Sequence, residues 1–131
     1  YINHVSSQHQ LFISGQIPML DGKPAYLGRL GDSLSDEDGA QAAELAALGL
    51  LGQLSDALGD DLSRVVRVLR LGVFIASSAD FQRQSVVANG ASNLLVNALG
   101  DKGRHVRTAV GVCSLPAGVA VEVDAIFELQ P

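Results

Sequence analysis

Two charged side chains interrupt apolar stretches near the end of the sequence. Arg107 lies in the run 106–115 and Glu122 in the run 119–129, where most of the surrounding residues are small or apolar. Each run predicts a β-strand, and a polar group that enters a core needs a hydrogen-bonding partner. If the two strands pair around the turn Pro116–Gly118, Arg107 falls on the same face as Glu122 and its neighbouring carboxylates.

This pair of residues allows two kinds of chemistry. Ala109 and Gly111 follow Arg107 on one face of the predicted strand, and they leave open space beside the guanidinium. The planar fork of the guanidinium could clamp a carboxylate or phosphate group there through two parallel hydrogen bonds. The alternative is a structural ion pair between Arg107 and Glu122 across the strands. Spacing alone leaves both interpretations open.

The histidines and the single cysteine show no pattern typical of a metal site or a catalytic triad. His4, His9 and His105 lack ligand spacing, so we expect surface or hydrogen-bonded histidines and no metal. Cys113 has no evident base partner, which favours a buried, unreactive thiol. The acidic stretch 32–38 does not follow a calcium-loop pattern and instead indicates helix capping.

Hydrophobic periodicity predicts the elements that must position these residues. Ser35 can cap a helix that ends at Gly59, because Asp38 occupies the reciprocal position of a capping box. Arginines recur at every third position of 64–70, which indicates a helical turn or a bulge at the start of a strand. In chain order we predict strands at 1–5 and 11–15, a helix at 35–58, a strand at 65–75, a helix at 81–99, and strands at 106–115 and 119–129. This order is typical of a single two-layer α+β domain over residues 1–131, with both helices on one face of a mixed sheet.

The composition limits the partners that such a domain could bind. The formal net charge is −5 and the nine Lys and Arg residues are scattered along the sequence, which argues against nucleic-acid binding through phosphate contacts. One cysteine cannot form an internal disulfide, and no apolar run approaches the roughly 18 residues of a membrane-spanning helix. No secretory signal pattern opens the sequence, so we expect a cytoplasmic protein.

The proportion of apolar residues indicates self-association. Hydrophobic residues make up 47% of the chain and charged residues 18%, whereas an average domain carries about 25% charged residues. A sheet that is covered by helices on one side leaves its other face bare, and burial between subunits would cover that face. A monomer with a well-filled core is the alternative.

Three segments of the sequence resemble the RidA family, also called the YjgF or L-PSP endoribonuclease family. They are Ser14-Gly15-Gln16-Ile17-Pro18, the pair Arg107-Thr108, and residues 115–122, which read LPAGVAVE. The likeness extends from Tyr1 to Leu129. The resemblance implies a chorismate-mutase-like fold, a homotrimer whose sheets line a central barrel, and ligand clefts between the subunits.

The resemblance also implies a function and the residues that perform it. Characterised members hydrolyse 2-imino or enamine acids to 2-keto acids and ammonia, and they use no cofactor or metal. Arg107 matches the arginine that clamps the substrate carboxylate, and Glu122 matches the acid that positions the attacking water. The other substrate-binding positions that the resemblance implies are Tyr1, Gly15, Asn89 and Ala109. Since Tyr1 opens the sequence, we expect either a preceding segment or a free amino group beside the cleft.

The sequence departs from the family pattern next to the key arginine. His105 and Val106 replace the usual Pro-Ala before Arg107, and Arg104 adds a positive charge. Together with the long loop 22–39, this pattern is similar to a divergent branch of the family. Three functions therefore stay open: an imine deaminase, a non-catalytic trimer that senses a small carboxylate, and a ribonuclease, which the acidic composition disfavours.

Overall fold

Five strands form one mixed sheet, and two helices pack on one of its faces. In the computed structural model, which describes residues 1–131, the elements are β1 (His4–Ser7), β2 (Gln10–Gln16), β3 (Met19–Leu20), β4 (Lys23–Pro24), α1 (Asp36–Leu58), β5 (Val65–Ala76), α2 (Gln84–Leu99), β6 (Val106–Val112) and β7 (Val121–Leu129). The strand order is β1-β2-β7-β5-β6, and β3 with β4 forms a separate ribbon. The predicted α+β architecture is confirmed. Neither helix has the combination of length and apolarity needed to cross a bilayer.

Helix α1 begins and ends where the sequence predicts. Ser35 Oγ accepts a hydrogen bond from the Asp38 backbone N–H at 3.1 Å, and the Ser35 N–H donates to the Asp38 carboxylate at 3.2 Å. Gly59 ends the helix in the left-handed conformation with φ of 59°, which glycine adopts without a steric penalty. The buried face of α1 carries mostly small residues, which lets the helix lie close to the sheet: Gly39, Ala42, Ala43, Ala46, Ala47, Leu50, Leu54 and Leu58.

Helix α2 packs against α1 at very short range. A Cβ on Gly90 would overlap the backbone carbonyl of Ala40, so glycine is what permits this approach. The helix begins at Gln84, later than predicted, because Phe81 is buried ahead of it and the Phe81 carbonyl accepts a hydrogen bond from the Gln84 side chain at 2.8 Å. Two side chains of α2 contact Arg107, so the position of α2 determines the surroundings of this candidate site residue.

Strand β5 lies between β7 and β6 and contains the expected irregularity. A 3₁₀ turn at Leu62–Arg64 precedes the strand. The register with β7 then shifts between Val65 and Arg67, and again between Val68 and Arg70. A bulge rotates the side chains that follow it, which explains an arginine spacing that fits neither face of a regular strand.

The predicted hairpin of the last two strands is wrong. Strand β6 pairs in parallel with β5, whereas β7 pairs antiparallel with β5 and β2. The end of β5 therefore occupies the place where the hairpin ladder would form. The Ser77 N–H donates to the Val112 carbonyl at 3.0 Å, and the Ala76 N–H donates to the Ala120 carbonyl at 2.9 Å. The chain crosses the end of β5 through the turn Pro116–Gly118.

One face of the sheet is covered and the other is bare. On β7, the side chains that point toward the helices are all buried: Val121, Val123, Ala125, Phe127 and Leu129. The opposite face carries Glu122, Asp124 and Glu128, and the apolar side chains Val5, Phe12 and Val110 on neighbouring strands are exposed there. The structure thus has the uncovered sheet face that the predicted two-layer architecture implied.

Candidate functional site

The strand register places Arg107 on the helix side of the sheet. Arg107 lies opposite Leu71 of β5, and Leu71 in turn lies opposite Ala125 of β7. Both Leu71 and Ala125 are buried under the helices. Glu122 lies opposite Phe74 and points to the bare face. The prediction that Arg107 and Glu122 share a face is wrong, because it assumed a hairpin register that the inserted β5 replaces.

Two neutral oxygens of α2 brace the Arg107 guanidinium. Its Nη1 donates to Asn89 Oδ1 at 2.9 Å and to Ser92 Oγ at 3.1 Å. Arg107 forms no ion pair with a carboxylate, so the structural Arg–Glu pair across the strands is not present. Because both Nη1 protons are used, the edge formed by Nε and Nη2 is the free one, and this edge matches the two oxygens of a carboxylate.

His105 holds the Ser92 hydroxyl in an accepting orientation toward Arg107. His105 Nδ1 lies 2.6 Å from the Gly103 carbonyl oxygen, and Nε2 lies 2.8 Å from Ser92 Oγ. A carbonyl can only accept, so Nδ1 carries the ring proton, and Nε2 of the neutral ring accepts the proton of Ser92. The lone pairs of Ser92 Oγ are then available to Arg107. These side chains line a cleft of about 240 Å³, which we call the Arg107 cleft: Ser92, Val96, Arg104, His105 and Arg107.

Sequence reasoning missed Ser92 and gave His105 no role beyond a hydrogen-bonded histidine. A signal for both exists in the sequence. Asn89 and Ser92 are three residues apart and therefore share a helix face. His105 and Arg107 are two residues apart, so they share one face of an extended segment. The two spacings become informative only once α2 is known to pack against β6, since neither spacing indicates that these two faces contact each other.

Glu122 lies over a glycine on the bare face. A Cβ on Gly15 would overlap the Glu122 carboxylate, so this close approach requires glycine. Burial, and secondarily the negative charge of Asp124, raises the pKa of the Glu122 carboxyl above its ordinary value. Asp124 lies 3.5 Å from Arg70 Nη1, whereas Glu122 has no cationic partner. Of the acids on this face, Glu122 and Glu128 therefore form no ion pair.

The other predicted site residues divide between the two faces. Ala109 is half-buried and follows Arg107 on the same side of β6. Tyr1 is fully exposed, and the adjacent chain is held against β2 because Ser14 Oγ donates to the Ile2 carbonyl at 2.6 Å. We call one group the Arg107 half-site, namely Asn89, Ser92, His105, Arg107 and Ala109. The Glu122 half-site comprises Gly15 and Glu122. Tyr1 lies three residues before the start of β1, in the segment that Ser14 holds against β2.

Cys113 is exposed, so the prediction of a buried thiol is wrong. Strand β6 ends at Val112, whose carbonyl accepts from Ser77. Cys113 therefore lies beyond the ladder, on the way to the turn. It lines a cavity of about 360 Å³ together with Arg29, Ser77, Ser78, Ala79, Phe81, Gln84, Gly111 and Val112.

The basic residues are scattered in the sequence but gather in the fold. A groove of about 590 Å³ at the start of β5 and β6, which we call the basic groove, is lined by Arg67, Leu69, Arg70, Arg104, His105 and Val106. The Arg67 Nη2 donates to the Arg104 carbonyl at 3.0 Å. Folding thus concentrates positive charge beside the Arg107 cleft, which the sequence order did not indicate.

Comparison with known proteins identifies the family. The chain matches the model of the YjgF/chorismate mutase-like endoribonuclease family over residues 1–128. The chain belongs to this family. The YjgF family membership confirms both the resemblance to RidA proteins and the chorismate-mutase-like fold, since the arrangement of helices and sheet agrees with that of solved relatives.

Individual relatives resemble the chain over almost its whole length. Protein TCP17 of Trypanosoma cruzi is 50% identical over 131 residues, which cover 99% of this chain and 81% of that protein. The crystal structure of Atu1372 from Agrobacterium tumefaciens is 45% identical with a TM-score of 0.98, covering 99% of this chain and 82% of that one. A structure from Shewanella oneidensis is 32% identical with a TM-score of 0.95, covering 98% and 85%. E. coli TdcF, solved with bound serine, shares the fold at 21% identity and a TM-score of 0.65, covering 100% and 88%.

Proposed function

We propose that the protein hydrolyses 2-imino or enamine acids to 2-keto acids and ammonia. The observation that carries this proposal is the state of Arg107, whose guanidinium is braced by neutral oxygens and has no acidic partner. Its free edge suits the carboxylate of a small substrate. Such charge-assisted bonds contribute on the order of 1.5–3 kcal/mol. No cofactor is needed, because an iminium carbon is already electrophilic.

Glu122 is the residue that positions or deprotonates the attacking water. Its raised pKa brings the carboxylate closer to the range in which a general base works well near neutral pH. An enamine first tautomerises to the imine. Water then adds to the C=N carbon and gives up one proton, while the nitrogen takes up a proton. The C–N bond breaks to release ammonia as the new hydroxyl loses its proton and becomes the keto oxygen. Positioning of water and substrate supplies much of the rate.

The placement of the half-sites supports a site that is shared between copies of the chain. Arg107 and Glu122 point to opposite faces of one sheet, on strands separated by β5. A small ligand cannot contact both within one chain, because the sheet itself lies between the two side chains. We propose a homotrimer in which Arg107 faces the partner subunit's Glu122. The exposed apolar side chains of the bare face favour such an assembly.

A coupled assay tests the activity. Threonine dehydratase generates the enamine of 2-oxobutyrate, and its decay is followed with and without the protein. We expect acceleration by the wild type and none by Arg107→Lys, which keeps the charge but loses the planar fork. Glu122→Gln should be equally inactive. The exposed Arg64→Lys is the matched control and should retain activity. A wild type no faster than Arg107→Lys contradicts the deaminase proposal.

A second candidate is a trimer that binds a small carboxylate without converting it. One observation favours it: within the chain, Glu122 is directed away from the Arg107 cleft. Calorimetry with 2-oxobutyrate separates the two candidates. Binding that depends on Arg107, together with no acceleration of enamine decay, would establish the sensor instead of the enzyme.

A further inference from the structure

We propose that the basic groove is a second anion subsite and that the preferred ligand carries two anionic groups. The first is the carboxylate on Arg107, and the second is a carboxylate or phosphate that Arg67 and Arg104 bind. This inference rests on the proposed role of Arg107 and adds the substrate class. It concerns two residues to which the family resemblance gives no function.

The charge distribution carries the first step. In a chain with net charge −5, Arg67, Arg70 and Arg104 line one groove. Only Arg70 is paired with a carboxylate, that of Asp124 at 3.5 Å. Arg67 and Arg104 have no ion pair. Cations gathered without compensating acids repel one another and attract an anion from solution.

The second step is the fixed geometry of Arg67. Its Nη2 donates to the Arg104 carbonyl at 3.0 Å, so its guanidinium is anchored at the start of β6. The bulge between Val65 and Arg67 directs the side chain to this position. Anchoring by a neutral carbonyl leaves the charge of Arg67 uncompensated, and the remaining N–H groups can bind a ligand.

The third step is the continuity of the groove with the Arg107 cleft. Arg104 and His105 line both spaces, which measure about 590 and 240 Å³. Arg67, Arg70 and Val106 lie on the bare side of the sheet and Arg107 on the helix side, so a ligand held at Arg107 reaches the groove around the start of β6, which is the edge strand. Their combined size suits a molecule longer than a three- or four-carbon monocarboxylate, since small-molecule sites commonly span roughly 300–1,000 Å³.

A polymer with many phosphates fits the groove less well than a small dianion. The unpaired cations at the groove are confined to Arg67 and Arg104, and no Phe, Tyr or Trp side chain lines it. Proteins that bind single-stranded RNA combine a longer basic track with aromatic side chains on which bases stack. The structure therefore favours a dicarboxylate or a phosphorylated acid.

Calorimetry at one fixed ionic strength tests the subsite. The probes are 2-oxobutyrate, which carries one carboxylate, and 2-oxoglutarate, which carries two. We expect 2-oxoglutarate to bind the wild type at least about tenfold more tightly, the low end for a charge-assisted contact. The double variant Arg67→Gln/Arg104→Gln should lose this preference. The single variant Arg67→Gln, whose residue lies outside the Arg107 cleft, should weaken the preference and bind 2-oxobutyrate within about twofold of wild type. Arg64→Gln, outside the groove, should keep the preference.

Several outcomes would overturn the subsite. They are equal affinity of the wild type for both acids, a preference that survives in the double variant, or a single-stranded RNA that binds more tightly than 2-oxoglutarate and depends on Arg67 and Arg104. Failure of the underlying function is recognised separately. In that case 2-oxobutyrate binds neither wild type nor Arg107→Lys. If 2-oxobutyrate binding instead depends on Arg107 but 2-oxoglutarate binds no more tightly, the second subsite alone is overturned.

Discussion

Ser92 controls how Arg107 presents its guanidinium. The hydroxyl donates to His105 Nε2 and accepts from Arg107 Nη1, so its removal leaves Nε2 without a partner and Nη1 with Asn89 as its only acceptor. We expect Ser92→Ala to weaken 2-oxobutyrate binding about tenfold, because a hydrogen bond to a charged group contributes about 1.5–3 kcal/mol. In the enamine assay KM should rise more than kcat falls, since the carboxylate is not the reacting group.

Conservative substitution distinguishes this positioning role from a general loss of structure. Ser92→Thr keeps the hydroxyl and should restore most of the affinity. Asn93→Ala, at an exposed position next in the helix, is the control and should bind like the wild type. Unchanged binding by Ser92→Ala, or equal losses in the Ala and Thr variants, would contradict the proposed bracing.

The raised pKa of Glu122 has a consequence for stability. A carboxyl group that binds its proton more tightly in the folded state destabilises that state as the pH rises. As the pH rises, the loss of stability begins near the ordinary pKa of 4.5 and is complete above the raised pKa of Glu122. Glu122→Gln lacks this penalty, so its free energy of unfolding should exceed that of wild type at about pH 7 and match it at about pH 4. Urea unfolding at equal protein concentration measures this. A less stable Glu122→Gln at neutral pH would show that the carboxylate makes a favourable contact.

At the scale of elements, the short approach between α1 and α2 determines where Asn89 and Ser92 lie. Gly90→Ala would push a methyl group into the Ala40 carbonyl and should cost about 1–3 kcal/mol of stability. It should also weaken ligand binding, because α2 carries the partners of Arg107. Gly52→Ala, in the interior of α1 with open space around it, should instead stabilise the protein by about 0.5–1 kcal/mol.

Thermal and chemical unfolding of the two glycine variants provide the measurement. Both substitutions add one methyl group to a helix, so helix propensity alone predicts that both raise the free energy of unfolding. A rise for Gly52→Ala together with a fall for Gly90→Ala supports the packing argument. A Gly90→Ala protein that is as stable as wild type and binds 2-oxobutyrate normally would contradict it.

Local signals predicted most of the elements but not the order of the strands. The capping box at Ser35 and the terminal Gly59 depend on adjacent residues, and they were correct. The pairing of β6 depends instead on β5, which is distant in sequence, and a plausible turn at Pro116–Gly118 suggested the wrong neighbour. That single error placed Arg107 on the wrong face. Arg107 itself was recognisable because an arginine in an apolar strand is unusual, whereas a serine in a helix is not.

At the scale of the whole molecule, the sheet separates two half-sites that the proposed reaction needs together. The bare face and the exposed apolar side chains on it favour assembly. The proposed homotrimer should sediment with three times the 13.7 kDa mass of this chain. Each cleft of such a ring would combine the Arg107 half-site of one chain with the Glu122 half-site of another.

Complementation between two inactive chains tests this central claim most directly. Arg107→Lys and Glu122→Gln chains are co-expressed, and the purified mixture is compared with each variant alone in the enamine assay. If clefts are shared, random assembly leaves about a quarter of them with both an intact Arg107 and the partner subunit's Glu122. The account predicts that the mixture recovers about a quarter of wild-type activity. A mixture no more active than the two variants measured separately would contradict it.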